Sequence, residues 1–239
     1  MMDNALYTTL NRQSGLMQEM QAVANNIANM STTGFRREGV LFAEHVADLG
    51  GQEPSLSMAT AEGRAINLSQ GVLQQTGAPF DFAIEGEGFF LIATPDGNQL
   101  TRAGSFTRSP EGEVVTTDGF RLLDEGGGPI TVPPDAGAVR LAQDGTLSAG
   151  GQPIAQVGLF LPADPTDLTH AGGTRFATRA APQPMEGGSV FQGFIEGSNV
   201  NPVAEITRMI AVQRAYEMGQ GFLDAEDNRI RSVTQTLGR

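Results

Sequence analysis

Several residue types that carry chemistry are missing or rare in this chain of 239 residues. It contains no cysteine, which excludes a disulfide framework, a thiolate nucleophile and a cysteine-based zinc site. Its two histidines, His45 and His170, are far apart in the sequence, and neither has a histidine or cysteine near it. We therefore predict no metal site and expect both histidine side chains to face solvent.

Long apolar runs are also missing. The longest unbroken one, residues 89–93, is far shorter than the roughly 20 residues that a membrane-spanning helix needs. The opening residues, MMDNAL, form neither a basic segment nor an apolar core, so we expect no cleaved secretory signal. The sequence therefore predicts no membrane span, and either a cytosolic chain or one exported without a cleaved signal.

Positive charge is scarce. Asp and Glu number 27 against 15 Lys plus Arg, which gives a formal net charge of −12. Because such a surface repels a phosphate backbone, we predict no nucleic-acid partner.

Residue patterns of known catalytic sites are absent as well. There is no Gly-x-Ser-x-Gly turn, and the segment GEG at 86–88 lacks the third glycine of a dinucleotide-binding loop. Paired carboxylates such as Asp81 with Glu85, or Glu85 with Glu87, could serve a glycosidase, but an acidic chain contains such pairs by chance. We predict no catalytic or cofactor-binding residue and no cofactor. A carbohydrase that uses Glu85 or Glu87 remains the enzymatic alternative.

Glycine and proline are concentrated in the middle of the chain. Residues 34–200 hold 27 of the 31 glycines and 12 of the 13 prolines. The ends can therefore form long helices, whereas the middle is typical of short strands joined by turns. We predict an α+β fold with an N-terminal helix at 1–35, an extended connector at 36–79, a mainly antiparallel β-rich domain at 80–200 and a C-terminal helix at 201–239.

Each end carries one narrow stripe of mostly apolar residues at alternating spacings of three and four. The positions are 6, 9, 13, 16, 20, 23, 27 and 30 at one end, and 209, 212, 216, 219, 223, 226, 230, 233 and 237 at the other. This spacing is typical of a coiled-coil seam, so we predict that the helices pair as a coiled-coil-like layer. A two-helix hairpin packed on the β domain of a monomer remains the alternative.

The ends of both helices carry stop and start signals. Gly34 follows the first stripe, as a helix stop does, and Asn201 with Pro202 can begin the second helix. Gly219 and Gly221 each weaken that helix by about 1 kcal/mol relative to alanine, which permits a bend or a close backbone contact.

Seven segments of the middle region have the composition of strands, at 80–84, 88–94, 113–117, 120–123, 138–142, 153–161 and 189–195. Turn sequences that tolerate positive φ separate most of them, at 95–98, 110–112, 118–119, 143–145 and 150–151. These patterns predict antiparallel hairpins.

Three asparagines, Asn25, Asn26 and Asn29, lie in the segment ANNIAN at 24–29. Asparagine is a poor helix former, so the helix frays toward Gly34 unless the amides find partners. With partners, they could fix the register between adjacent helices. Both interpretations stay open.

Three segments together resemble one known family. They are ANNIAN with STTGF between 24 and 35, DFAIEGEGFF at 81–90, and SNVNPV with MI and QRAYEM between 198 and 218. They are similar to the N-terminal, first core β and C-terminal signatures of the flagellar basal-body rod and hook proteins, in the order of that family. The opening MDNALY and the compact length are most similar to proximal-rod members, with distal-rod members as near neighbours.

The resemblance implies a structural rod subunit in the periplasm that transmits torque from motor to hook. It implies export without a cleaved signal by the flagellar type III apparatus, and terminal helices that become ordered by assembly with copies of the chain and with other rod proteins. A distal-rod or hook-type axial subunit is one alternative, and a monomeric β-domain binding protein is another. We expect the assembly interface to use Leu6, Leu16, Met20, Val23, Asn25, Asn26, Ile27, Asn29, Ile210, Tyr216, Leu223, Ile230 and Val233.

Overall fold

A long helix forms each end of the chain in a computed structural model, and short strands form the middle. The structure describes residues 2–47 and 56–237, and side chains at 8–42 and 63–236. Helix α1 spans Met2–Ala28 and α2 spans Pro202–Leu237, with 27 and 36 residues. The two helices and the mainly antiparallel sheets confirm the α+β class.

Eighteen strands lie between the helices in the described part of the chain. They are β1 (Glu38–Ala47), β2 (Leu56–Ile66), β3 (Leu73–Gln75), β4 (Phe82–Glu85), β5 (Phe89–Thr94), β6 (Gly97–Thr101), β7 (Phe106–Arg108), β8 (Val114–Thr116), β9 (Arg121–Leu122), β10 (Val139–Leu141), β11 (Thr146–Ala149), β12 (Gln152–Gln156), β13 (Leu159–Leu161), β14 (Thr169–His170), β15 (Arg175–Ala177), β16 (Gln183–Pro184), β17 (Ser189–Gln192) and β18 (Phe194–Glu196). A single 3₁₀ turn, Pro165–Asp167, precedes β14.

The chain divides into two compact units. The helical unit contains α1, β1, β2 as far as Ala65, and α2. The β unit contains Asn29–Arg37 and Ile66–Val200.

In the helical unit, α1 and α2 run antiparallel. Gln13 near the start of α1 donates its Nε2 to the carbonyl oxygen of Tyr216 at 3.1 Å, whereas Asn26 near the end of α1 reaches Glu205 at the start of α2. Strands β1 and β2 pair with each other, and β1 also contacts α1.

The β unit is built around a nine-stranded sheet with strand order β14-β15-β6-β5-β9-β8-β7, in which β13 joins β5 to β16. The other sheets are β10-β11-β12, β17-β4 and β18-β3. Alternating apolar residues of β4, β5 and β9 fill the core, and the fully buried members include Phe82, Phe90, Ile92 and Leu122. Burial of these side chains is what holds the short strands together.

The predicted turns are confirmed. Of the turn predicted at 95–98, residues 95 and 96 join β5 to β6. The turn at 118–119 joins β8 to β9, and the turn at 150–151 joins β11 to β12. The glycine at 112 and that at 145 also adopt positive φ, of 90° and 87°.

Two predicted strands are each broken in the structure. The segment 153–161 divides into β12 and β13 at Gly158, where a Cβ atom would lie 2.7 Å from Cα of Glu125. The segment 189–195 divides into β17 and β18 at Gly193, whose φ is 76°. Six strands of the β-rich domain were not predicted, because short and mostly polar strands lack an apolar pattern; they are β6, β7, β11, β14, β15 and β16.

The expectation for His170 is wrong. Its ring stacks on Phe35 with centroids 5.3 Å apart and lies 4.7 Å from the ring of Phe176. The side chain packs between aromatic rings and is not fully exposed. The side chain of His45 lies outside the described residues.

The first helix ends earlier than the predicted residue 35. It stops at Ala28, and the following segment belongs to the β unit, where Phe35 and Arg36 are buried at 1% exposure each. The helix ends there because the side chains after it pack into a different unit. We predicted an extended connector at 36–79, and the described part of this segment contains β1, β2 and β3.

Neither described helix is long and apolar enough to cross a membrane.

We expect Gly34→Ala to destabilise the β unit by at least about 2 kcal/mol, because Gly34 has φ 72° and a Cβ there would lie 2.2 Å from the amide nitrogen of Ala103. Urea denaturation followed by circular dichroism measures the change. Gly126→Ala is the matched control, since its nearest contact is an ordinary 3.4 Å to Asp124. Equal midpoints for the two variants would contradict the expectation.

Candidate assembly interface

Helix α2 has one inner face, and its positions are those of the predicted stripe. Val212 is buried, and five further stripe positions are half-buried, namely Met209, Tyr216, Gly219, Leu223 and Glu226. From Asp227 to Thr236 every residue of α2 is exposed. The inner face is therefore covered over the first two thirds of the helix only.

Helix α1 has two faces in contact. The predicted stripe is at least partly buried at Thr9, Gln13, Leu16, Met20, Val23 and Ile27. A second buried row consists of Gly15, Glu19, Ala22 and Asn26, of which only Asn26 was among the predicted interface residues. Gly15 faces the ring of Phe42 on β1, so this row includes the side of α1 that contacts the β1–β2 hairpin. Small and polar residues give no hydrophobic periodicity, and this is why the rest of the row was missed.

The structure places the predicted interface residues in three groups. Val23 and Asn26 are buried, and Leu16, Met20, Asn25, Ile27, Asn29, Tyr216 and Leu223 are half-buried. Ile210, Ile230 and Val233 are exposed by 45%, 47% and 49%. The side chain of Leu6 lies outside the described residues.

Helix α2 is longer than the partner that covers it. Because Gln13 lies opposite Tyr216 and Asn26 opposite Glu205, the first residue of α1 lies near the level of Asn228. The remainder of α2, at 1.5 Å per residue, extends past α1 by about 14 Å. Ile230 and Val233 continue the inner face over this length and have no part of α1 opposite them.

A close approach of the two helices occurs at Gly219. A Cβ atom there would lie 2.5 Å from Nε2 of Gln13, so the glycine makes room for the Gln13 side chain to reach α2. Beside it runs a groove of about 340 Å³ whose lining includes Leu16, Met218 and Phe222. Of the two possibilities predicted for Gly219 and Gly221, a bend or a close contact, the close contact is found at Gly219.

Asn26 joins three elements of the helical unit. Its Nδ2 donates to the carbonyl oxygen of Glu38 at 2.8 Å and to Oε2 of Glu205 at 3.1 Å, and its Oδ1 accepts from the amide N–H of Glu38 at 2.9 Å. Asn25 also donates to the Glu38 carboxylate. The Asn26 amide therefore pairs with β1 as a backbone would, and its second N–H holds α2.

A second polar cluster, which no sequence pattern predicted, lies inside the β unit. The carboxylate of Glu196 accepts from Arg36 at 2.9 Å and from Arg102 at 3.0 Å, and all three side chains are at most 2% exposed. Burial lowers the pKa of Arg102 to about 10, and the charge of Glu196 opposes that shift. Burial also lowers the pKa of Arg36, again opposed by Glu196. With a pKa of about 10, Arg102 stays protonated at neutral pH. One carboxylate thus lies between two buried guanidinium groups.

The described residues bring together no group of three or more His, Asp or Glu that could hold a metal ion. The helical unit has an apolar surface on α2 that continues beyond the end of α1. It also has a polar contact, Asn26 with Glu205, that sets the register of the two helices.

Family comparisons cover both ends and the middle of the chain. The model described as "Flagella basal body rod protein" matches residues 6–36, "Flagellar hook protein FlgE/F/G D1 domain" matches 83–149, and "Flagellar basal body rod FlgEFG protein C-terminal" matches 192–236. The chain is 41% identical to the flagellar basal-body rod protein FlgF of Caulobacter vibrioides, over 100% of this chain and 99% of that protein. The chain belongs to the flagellar basal-body rod protein family.

Other relatives of this rod protein carry two names. It is 35% identical to the FlgF protein of Mesorhizobium japonicum, over 99% of each chain, and 30% identical to the FlgG protein of Bacillus subtilis, over 96% of this chain and 97% of that one. The relatives are structural rod proteins and not enzymes, which agrees with the expectation for this chain. The family assigns the rod protein to the flagellar basal body.

We expect Asn26→Ala to lower the free energy of unfolding of the helical unit by about 2–3 kcal/mol, because the N–H and carbonyl of Glu38 lose their partner while buried. Thermal melting followed at 222 nm measures this. Asn228→Ala, on the exposed end of α2, is the control and should change the melting temperature little. An Asn26→Ala variant that melts like the control would show that the amide contributes nothing.

We expect Glu196→Gln to lower the free energy of unfolding of the β unit by about 3–5 kcal/mol, because it leaves two buried guanidinium groups without a counter-charge. Urea denaturation of the purified chain gives the value, with Glu186→Gln on an exposed turn as the matched control. A loss below 1 kcal/mol would mean that the cluster does not depend on the Glu196 charge.

Proposed function

We propose that this rod protein is a structural subunit of the proximal rod and that its terminal helices assemble it into a helical tube that transmits torque from motor to hook. The higher identity to FlgF, 41% against 30% to FlgG of Bacillus subtilis, supports the proximal position. The observation that carries the assembly is the inner face of α2 beyond the reach of α1, where Ile230 and Val233 are about half exposed.

A second apolar surface of α2 supports contacts with more than one neighbour. Val203, Ile206 and Ile210 are exposed by 74%, 50% and 45%, and at 100° per residue they fall within about 60° of one another. This strip points away from the inner face, so one molecule can cover it while another covers Ile230 and Val233. Two different surfaces produce heterologous contacts, which build open helical filaments.

Within such a filament the helices would pair as a coiled-coil-like layer whose register the Asn26–Glu205 bond sets. Burying the exposed half of an isoleucine or valine yields about 1 kcal/mol, so each contact between subunits is weak. Many weak contacts in parallel carry torque, while each of them can still form reversibly during assembly.

The partners under this proposal are copies of the chain and other proximal and distal rod subunits. The subunit reaches the periplasmic rod through the flagellar type III export apparatus without a cleaved signal, and its terminal helices become fully ordered only on assembly.

The likeness to FlgG also supports a distal-rod subunit as the second candidate. A strain lacking this chain separates the two, because loss of a proximal subunit removes the distal rod as well.

The exposed end of α2 provides the direct test. We expect the double variant Ile230→Asp with Val233→Asp to keep the melting temperature of the purified chain, because both side chains are half exposed, and yet to abolish complementation of a strain lacking the chain. Motility in soft agar and electron microscopy of isolated basal bodies report assembly.

The control is Ser232→Asp, which adds a charge between those positions on another side of the same turn. It should complement. Normal rods in the double variant would contradict assembly through this face, and equal loss in the control would mean that any charge at this end is harmful.

A further inference from the structure

Asn199 lies in the β unit at a point where three segments of the chain meet. Its Oδ1 accepts from the amide N–H of Arg37 at 2.7 Å, and its Nδ2 donates to the carbonyl oxygens of Asn67 at 2.9 Å and Ser69 at 2.8 Å. The amide N–H of Asn199 also donates to the carbonyl of Phe35 at 3.3 Å. One side chain thus uses its acceptor and both donors to tie three distant stretches of sequence.

These stretches are the ones that lead out of the β unit. The chain enters this unit from α1 at Asn29, leaves it after Arg37, enters it again at Ile66 and leaves it finally into α2 after Val200. Asn199 itself lies next to the last of these passages, and it binds the backbone within three residues of two others, those after Arg37 and at Ile66.

The polar cluster around Glu196 forms further hydrogen bonds to the same three segments. Its carboxylate accepts from the amide N–H of Gly71 at 2.7 Å in addition to the two arginines, and its carbonyl oxygen accepts from the amide N–H of Gly34 at 2.7 Å. Arg36 reaches the carbonyl of Ser69 as well. Arg102 follows β6, so the cluster is anchored on the main sheet of the unit.

We propose that Asn199 and Glu196 form a clamp that resists mechanical force and holds these three segments together when force acts on the terminal helices. The inference rests on the proposed function as a torque-transmitting subunit. Force on α1 enters the β unit through the segment 29–37, and force on α2 enters it at Val200. Both forces act there on short segments that lie outside the strands. Hydrogen bonds that cross-link all three segments prevent one segment from separating alone, so the force is distributed over all of them.

A clamp differs from an ordinary stabilising cluster in the direction of force that it resists. It should matter when the passages are pulled apart and should matter little when the sheet is stretched elsewhere. Asn199 is thus a positioning residue, and its role needs a mechanical readout in addition to a melting temperature.

The absence of native cysteine makes the measurement direct, because two introduced cysteines become the only attachment points for optical tweezers. The clamp pair is Ser31→Cys with Val203→Cys, two exposed positions beside the passages. The sheet pair is Asp96→Cys with Glu186→Cys, two exposed turn positions within the β unit. The full chain is pulled through each pair, with and without Asn199→Ala.

We expect Asn199→Ala to lower the mean rupture force of the clamp pair by roughly a third or more, since three hydrogen bonds are lost, and to leave the sheet pair within error. Asn199→Asp, which keeps the acceptor for Arg37 and loses both donors, should give an intermediate force. Asn98→Ala, on an exposed strand end, is the matched control and should change neither pair.

Equal losses in both pairs would overturn the proposal, because they would indicate general destabilisation. No loss in either pair would overturn it too. Should Asn199→Ala fail to fold, the Asn199→Asp variant decides by the same comparison. These outcomes leave the rod assignment intact, since that assignment stands or falls on complementation and rod assembly in cells.

Discussion

A helix of 36 residues cannot be covered by an antiparallel partner of 27 residues. The inner face of α2 begins against Asn26 and ends beyond α1 with Ile230 and Val233 half exposed. An amphipathic helix gains most of its stability from packing that face, so the uncovered end is complete only with another surface. We propose that this mismatch in length is the physical basis for assembly.

Polar residues fix positions that the apolar stripes leave free. A stripe with regular spacing could slide by a turn and still pack, whereas the Asn26 amide satisfies Glu38 and Glu205 in one register only. In the β unit, Glu196 fixes Arg36 and Arg102 in the same way. Buried charges add little net stability compared with apolar packing, but removing one partner strongly destabilises the fold. Such clusters therefore favour one arrangement of the segments that carry them.

Much of the fold could be predicted from the sequence, and the failures have physical causes. The stripe at 209–226, the hairpin turns and the α+β class follow from periodicity and turn chemistry, which are local. The break at Gly158 depends on Glu125, which is distant in the sequence, and the early end of α1 depends on where Phe35 and Arg36 pack. No local pattern encodes such contacts.

The same distinction between local patterns and distant contacts applies to the interface residues. Exposure of Ile230 and Val233 follows from the stripe once the helix lengths are known. The second face of α1, with Gly15, depends on the β1–β2 hairpin, which no local pattern predicted. The Arg36–Glu196–Arg102 cluster was missed because charged residues far apart in sequence carry no signal of burial.

The most direct test of the account is the accessibility of the α2 end before and after assembly. With Val233→Cys as the sole cysteine of the chain, maleimide labelling can be timed in the purified protein and in isolated basal bodies. The account predicts rapid labelling of the purified chain, where Val233 is 49% exposed, and protection in the rod. Equally rapid labelling in both would contradict assembly through this face.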